Sequence, residues 1–124
     1  MKLVIRFSAF VFALLLIFAF TPKSKQDLAN DVTVSFKVNG VCGMCKERIE
    51  EALYTTGIKS AIWNTKTQIL TVSYKSKKIN EMQIHQLVAG VGHDTDKVKA
   101  KDEVYKKLPD CCLYRDGVKA HGDR

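Results

Sequence analysis

No stretch of the chain reaches the ~20 consecutive apolar residues of a membrane-spanning helix. The apolar run at residues 7–20 is broken only by Ser8 and is short for a span. No cysteine stands close behind that run, so a lipid-anchored precursor has no support, and residues 19–23 hold no clean Ala-x-Ala pattern. Acidic residues are scarce beside basic ones, 13 against 20 Lys and Arg, and the chain stays basic after removal of Lys2 and Arg6. A basic surface attracts phosphates, yet residues 68–74 lack the Lys/Arg-Gly-Phe/Tyr pattern of an RNA-recognition strand. With an export signal in front, that absence excludes nucleic acid as a partner. The charge reads instead as solubility, and Lys75, Ser76, Lys77 and Lys78 as a solvated loop.

What is present at the N-terminus is charge followed by hydrophobe: Lys2 and Arg6, then the apolar run, then Pro22 among polar residues. That order is a secretory signal. Residues 1–22 are expected to be a signal peptide that exports the chain, to the periplasm; an uncleaved N-terminal anchor is the alternative, and only then is a membrane involved. Residues 23–31 read as a linker, residues 32–100 as a single domain, which suits a length of 124, and residues 101–124 as a C-terminal extension.

Within the domain, Val32, Val34, Phe36 and Val38 alternate with polar residues, the pattern of a strand with one buried face, and Asn39-Gly40 breaks it. Ile49, Ala52 and Leu53 recur at helical spacing after Cys45, and Gly57 is placed to stop that helix. Residues 58–64 and 68–74 are β-prone and joined by the polar turn Asn64-Thr65-Lys66-Thr67, which predicts a hairpin. Asn80 caps a second helix whose apolar stripe is Met82, Ile84, Leu87 and Val88, ended by Gly90 and Gly92; residues 94–100 offer a final strand. The order β-α-β-β-α-β predicts a ferredoxin-like α+β sandwich, with two helices on one face of a four-stranded antiparallel sheet. A short helix is expected at residues 102–108, stopped by Pro109.

Four cysteines in an exported chain raise disulfides first, but these come as Cys42-Gly43-Met44-Cys45 and as the adjacent pair Cys111-Cys112. Both groupings are local and suit metal capture or redox work better than stapling. Thiolates are soft donors and select Cu(I), Hg(II), Zn(II), Cd(II) or Ag(I) over hard cations. Zn(II) usually wants four donors, whereas Cu(I) and Hg(II) tolerate two sulfurs, so Cu(I) leads. At a helix start the unpaired N–H groups and the dipole favour thiolate. Lys46 and Arg48 are placed to offset the charge of a bis-thiolate unit, or are simply solvated.

The segment Cys42-Gly43-Met44-Cys45, followed by Arg48-Ile49-Glu50-Glu51-Ala52-Leu53, Gly57-Ile58 and Val91-Gly92-His93, resembles the heavy-metal-associated domain family. That family includes cytosolic copper chaperones, sensor domains of copper-exporting P-type ATPases and periplasmic mercury-binding proteins. The resemblance implies a non-enzymatic role in metal trafficking, scavenging or detoxification in the cell envelope. It also implies a partner such as a metal-transporting ATPase, an efflux component or a metalloenzyme. Where the family usually has Gly-Met-x before the first cysteine, this chain has Asn39, Gly40 and Val41, which implies altered loop packing. His93 falls where relatives have an aromatic residue or lysine facing the metal, making it a candidate third ligand besides Cys42 and Cys45. Cys111 and Cys112 lie outside the family core; they can cap a soft ion, form a vicinal disulfide or pack, and a folded-back tail would give four sulfurs and reopen zinc. The alternative function is a thioredoxin-like thiol-disulfide oxidoreductase using the same C-x-x-C. Against it, no Trp precedes the motif and no Pro lies between the cysteines.

Overall fold

The computed structural model describes residues 30–117. The expected signal peptide or anchor and nearly all of the expected linker lie outside the described residues, as does the tail after residue 117. Among the described residues, no helix is long and apolar enough to cross a membrane.

Strand β1, Asp31–Lys37, lies along one edge of β3, Ile69–Lys75, and β2, Ile58–Trp63, along the other. Both pairings are antiparallel, with Val34 opposite Val72 and Phe36 opposite Leu70. Because side chains alternate along a strand, Phe36, Leu70, Val72 and Tyr74 all reach the buried face, while Ser35 and Thr71 meet on the open face, their hydroxyls 2.9 Å apart. Helices α1, Gly43–Glu51, and α2, Glu81–Gly90, cover the buried face, sending Cys45 and Ile49 and then Ile84 and Val88 into one core.

Local chemistry sets the element ends. Asn64 Oδ1 accepts from the backbone N–H groups of Lys66 and Thr67, an Asx turn that closes the β2–β3 hairpin. Asn80 and Gln83 form a reciprocal capping box at the start of α2. Gly57, at φ 98°, occupies a left-handed conformation that L side chains rarely adopt, and an added Cβ there would meet Lys78 Cβ at 2.9 Å.

The expected fourth strand does not form. Residues 94–100 touch the sheet at one antiparallel bridge, Val38 to Thr95, flanked by hydrogen bonds from Asn39 N–H to Asp94 O and from Asp96 N–H to Lys37 O. Beyond it, Thr95 folds the chain into a turn: its Oγ1 accepts from the N–H groups of Lys97 and Val98, and its own N–H donates to Val98 O. A Ser or Thr side chain that satisfies nearby amides competes with ladder formation, and here it wins. Among the described residues the sheet has three strands.

The α2 stripe is also rotated from expectation. Met82 is exposed and Leu87 half-buried, whereas His85 is fully buried. The His85 ring stacks on Phe36 at 3.8 Å, with Nδ1 2.7 Å from Thr95 Oγ1, so that nitrogen has a partner and the ring face fills the core.

The extension continues the fold. A one-turn helix α3, Asp102–Tyr105, buries Tyr105, and Leu108 lies against Gly92, where an added Cβ would come within 3.0 Å of its side chain. Two 3-10 turns follow, Asp110–Cys112 and Tyr114–Asp116.

Candidate metal centre

Cys42 is the N-cap of α1 in extended conformation, and Cys45 enters the first turn, so their sulfurs share one helix end 3.9 Å apart. Cys42 is half-buried and Cys45 fully buried. The loop before them is held from below. The ring N–H of Trp63 donates to Val38 O at 3.1 Å, Gln68 Nε2 donates to Gly40 O at 2.6 Å, and Val41 N–H points at Cys45 Sγ, 3.4 Å away. A Cβ on Gly40 would lie 2.9 Å from the Trp63 ring and 3.2 Å from Cys45 Cβ. Gly40→Ala is therefore expected to displace the sulfur loop and to destabilise the fold by about 1–3 kcal/mol, the usual range for overpacking, measurable by urea unfolding.

The structure brings one more sulfur to this pair. The Sγ atoms of Cys42, Cys45 and Cys112 lie within 4.8 Å of one another, with Cys112 fully buried. Arg48 Nη1 donates toward Cys112 Sγ at 3.5 Å, while Lys46 is turned away, paired with Glu50 and donating to Trp63 O at 3.0 Å. Glu50 in turn accepts from Trp63 N–H at 2.8 Å, locking α1 to the end of β2. Cys111 sits further out. Its sulfur is 3.9 Å from Cys112 Sγ and 3.5 Å from the thioether of Met44, which is half exposed, and its carbonyl faces Cys42 Sγ at 3.8 Å. All four cysteines are free thiols.

His93 is not part of the three-sulfur group. It is fully buried, its Nδ1 2.8 Å from Asn39 O and its ring stacked 5.6 Å from that of Tyr114. Burial, followed by the nearby Arg48 charge, pushes its pKa below the ordinary histidine value, against opposing contributions from Asn39 O and Asp94. A neutral ring wedged between Asn39 and Tyr114 joins the loop before Cys42 to the extension.

The thiols differ in acidity. Burial raises the Cys42 pKa, but the backbone N–H groups of Cys45 and Met44, aided by the Cys45 side chain and Cys111, outweigh it and hold the thiol below its usual value. At Cys112 burial and the neighbouring sulfurs of Cys45, Cys42 and Cys111 all push upward, so it is held as a neutral thiol. Thiolate is the nucleophile. Alkylation followed by peptide mapping should therefore modify Cys42 ahead of Cys112. The Cys42 rate should also rise with pH through a midpoint below that of the urea-unfolded chain.

A ferredoxin-like α+β module whose first helix opens on clustered cysteines is the class that fold and site define. Residues 35–94, just under half of the 124-residue chain, match the heavy-metal-associated domain. Among solved structures, the CopZ metallochaperone is 29% identical, over 52% of this chain and 98% of its own, with TM-score 0.50. Oxidized MerP from Ralstonia metallidurans CH34 (19% identity, 53% of this chain and 94% of its own, TM-score 0.51) shares the fold. So does a copper binding domain from a P-type ATPase, at 18% identity, 52% and 89% coverage and TM-score 0.50. No curated protein matches the chain. Cys111 and Cys112 lie beyond the matched residues.

Proposed function

We propose that this protein binds one soft metal ion, Cu(I) first among candidates, through Cys42 and Cys45, and handles it by thiolate exchange. The observation that carries this reading is the sulfur pair itself, two thiols 3.9 Å apart at a helix N-terminus, one of them below its ordinary pKa. The converging ligand atoms found among the described residues are all sulfur, soft donors that disfavour hard cations. Half-exposed Cys42 engages the incoming ion first, and buried Cys45 closes the pair; each thiol gives its proton to solvent as its metal–sulfur bond forms. Likeness to the CopZ metallochaperone supports delivery or scavenging over catalysis. An acceptor such as a metal-transporting ATPase, an efflux component or a metalloenzyme fits that role. The charged-then-apolar N-terminus supports a setting in the cell envelope, as an exported or anchored protein.

Anaerobic titration with Cu(I), Hg(II) and Zn(II), on wild type and Cys42→Ser, tests the reading. Cu(I) or Hg(II) should bind at one equivalent and outcompete Zn(II) in the wild type, and unchanged tight binding in Cys42→Ser would refute it. One observation favours a second reading: an accessible, acidified Cys42 beside a buried Cys45 is also the layout of a thiol-disulfide exchange pair. Catalytic turnover of a disulfide substrate, lost in Cys42→Ser, would promote that reading.

A further inference from the structure

The part of the chain beyond the family match is fastened to the domain with more polar contacts than a passive tail requires. Arg115 grips Asp94 through Nε and Nη2, at 2.9 and 2.6 Å, and also reaches Asp102 Oδ1 and Ala100 O, both at 2.8 Å. Its guanidinium lies 4.3 Å over the Tyr105 ring, and Tyr105 Oη accepts the Arg115 backbone N–H at 2.9 Å. Tyr114 Oη donates to Gly92 O at 2.7 Å and accepts from Asp94 N–H at 2.8 Å. A bidentate, stacked guanidinium is a strong and directional anchor. Tyr114 and Arg115 follow Cys112 by two and three residues and tether the segment that carries its sulfur.

The sulfur spacing leaves room for a third sulfur on the ion. With a metal–sulfur bond of about 2.3 Å, two sulfurs across a linear ion stand ~4.6 Å apart, and those of a flat three-sulfur unit ~4.0 Å apart. The observed separation of Cys42 and Cys45 is 3.9 Å, and Cys112 brings its sulfur within 4.8 Å of both. A tris-thiolate Cu(I) unit carries two negative charges, and Arg48 already donates to the third sulfur.

We propose that the C-terminal extension is a latch that supplies Cys112 as third thiolate to the ion held by Cys42 and Cys45, filling the position that an acceptor's thiol must take during transfer. This rests on the soft-ion reading of the Cys42–Cys45 pair and adds its regulation. With the extension docked the ion is retained. Undocking removes one sulfur, leaves a two-coordinate ion and opens it to exchange. Each change is ligand substitution without net oxidation: Cys112 loses its thiol proton to solvent when it binds and regains one when it leaves.

The full chain, loaded anaerobically with one equivalent of Cu(I), provides the test, with Cys112→Ser and Arg115→Ala as variants. Arg115→Ala touches no sulfur, so it separates docking from ligation. Alkylation footprinting of loaded wild type should protect Cys42, Cys45 and Cys112 and leave Cys111 reactive. Both variants should keep one equivalent bound but release it to a competing chelator at least about tenfold faster, equivalent to about 1.4 kcal/mol of retention. If Cys112 alkylates as fast in the loaded, folded protein as in the urea-unfolded chain, and neither variant changes the release rate, the latch is overturned while the two-cysteine site stands. Failure of the wild type to bind one equivalent at all would instead overturn the underlying metal reading.

Discussion

Cys42→Ser and Cys45→Ser each weaken Cu(I) binding by roughly 10²–10³-fold while the chain stays folded. The size follows from ligand bookkeeping. Four-ligand structural zinc sites bind with about 10–16 kcal/mol, about 2.5–4 kcal/mol per ligand, and each 1.4 kcal/mol is a factor of about ten. A serine hydroxyl is a hard donor that stays protonated near neutrality, so it does not replace thiolate. The two variants should differ in fold stability. Cys42 is half-buried and takes no side-chain part in capping α1, whereas Cys45 is fully buried beneath Val41. A hydroxyl at Cys45 is placed in apolar surroundings, so Cys45→Ser should cost more stability as well as affinity. Anaerobic competition against a chromophoric Cu(I) chelator reads the first effect, and urea unfolding of the metal-free proteins the second.

Trp63→Ala is expected to be the most damaging substitution outside the sulfurs. The ring is 1% exposed and sits where β2, α1 and the sulfur loop meet. Its removal leaves a cavity beneath Gly40 and orphans Val38 O, which accepts the ring N–H. Large-to-small changes of this kind cost about 3–5 kcal/mol, a large share of a small domain's ~5–15 kcal/mol. Trp63→Phe keeps much of the ring packing and loses the hydrogen bond, so it should cost less, with about 1–3 kcal/mol coming from the unsatisfied carbonyl. Because the ring supports the loop ahead of Cys42, the phenylalanine variant should also alkylate faster at Cys45 in the folded state. Denaturant melts give the first comparison and thiol mapping the second.

Much of this arrangement was legible because its causes are local. Alternation from Val32 to Val38 placed β1; Asn64 set the hairpin turn; Asn80 opened α2; and a C-x-x-C ahead of Ile49 and Leu53 put two thiols at a helix start. What went unread depends on choices between competing partners. Residues 94–100 look like a strand, but Thr95 offers its own hydroxyl to the amides of Lys97 and Val98, and the ladder stops after one bridge. In α2, His85 stands one turn before Val88, whereas Met82 stands two positions before Ile84 and faces away from it, yet hydrophobicity alone chooses the methionine. Burial went to the histidine because Phe36 stacks on it and Thr95 takes its Nδ1.

The third sulfur is the more instructive case: Cys111 and Cys112 are both candidate caps in the sequence, and the fold groups only Cys112 with Cys42 and Cys45. Cys112 is separated from Cys42 by most of the domain, and its place depends on Tyr114 and Arg115 closing onto Gly92, Asp94 and Ala100, with Tyr105 holding the Arg115 backbone. The sequence did carry a signal. Leu108, Tyr105, Tyr114 and an arginine next to an aromatic are unusual in a polar tail, and they bracket the Cys-Cys pair. Such residues are anchors when they have something to dock on. His93, considered as a third ligand, instead has its Nδ1 at Asn39 O and its face against Tyr114, beside the extension that carries Cys112.

The most direct test of the central claim is X-ray absorption at the copper edge on the full chain holding one equivalent of Cu(I), prepared without oxygen. The account predicts a first shell of sulfur alone, lost in the Cys42→Ser, Cys45→Ser double variant. A shell dominated by nitrogen or oxygen, or one that persists unchanged in the double variant, would contradict it.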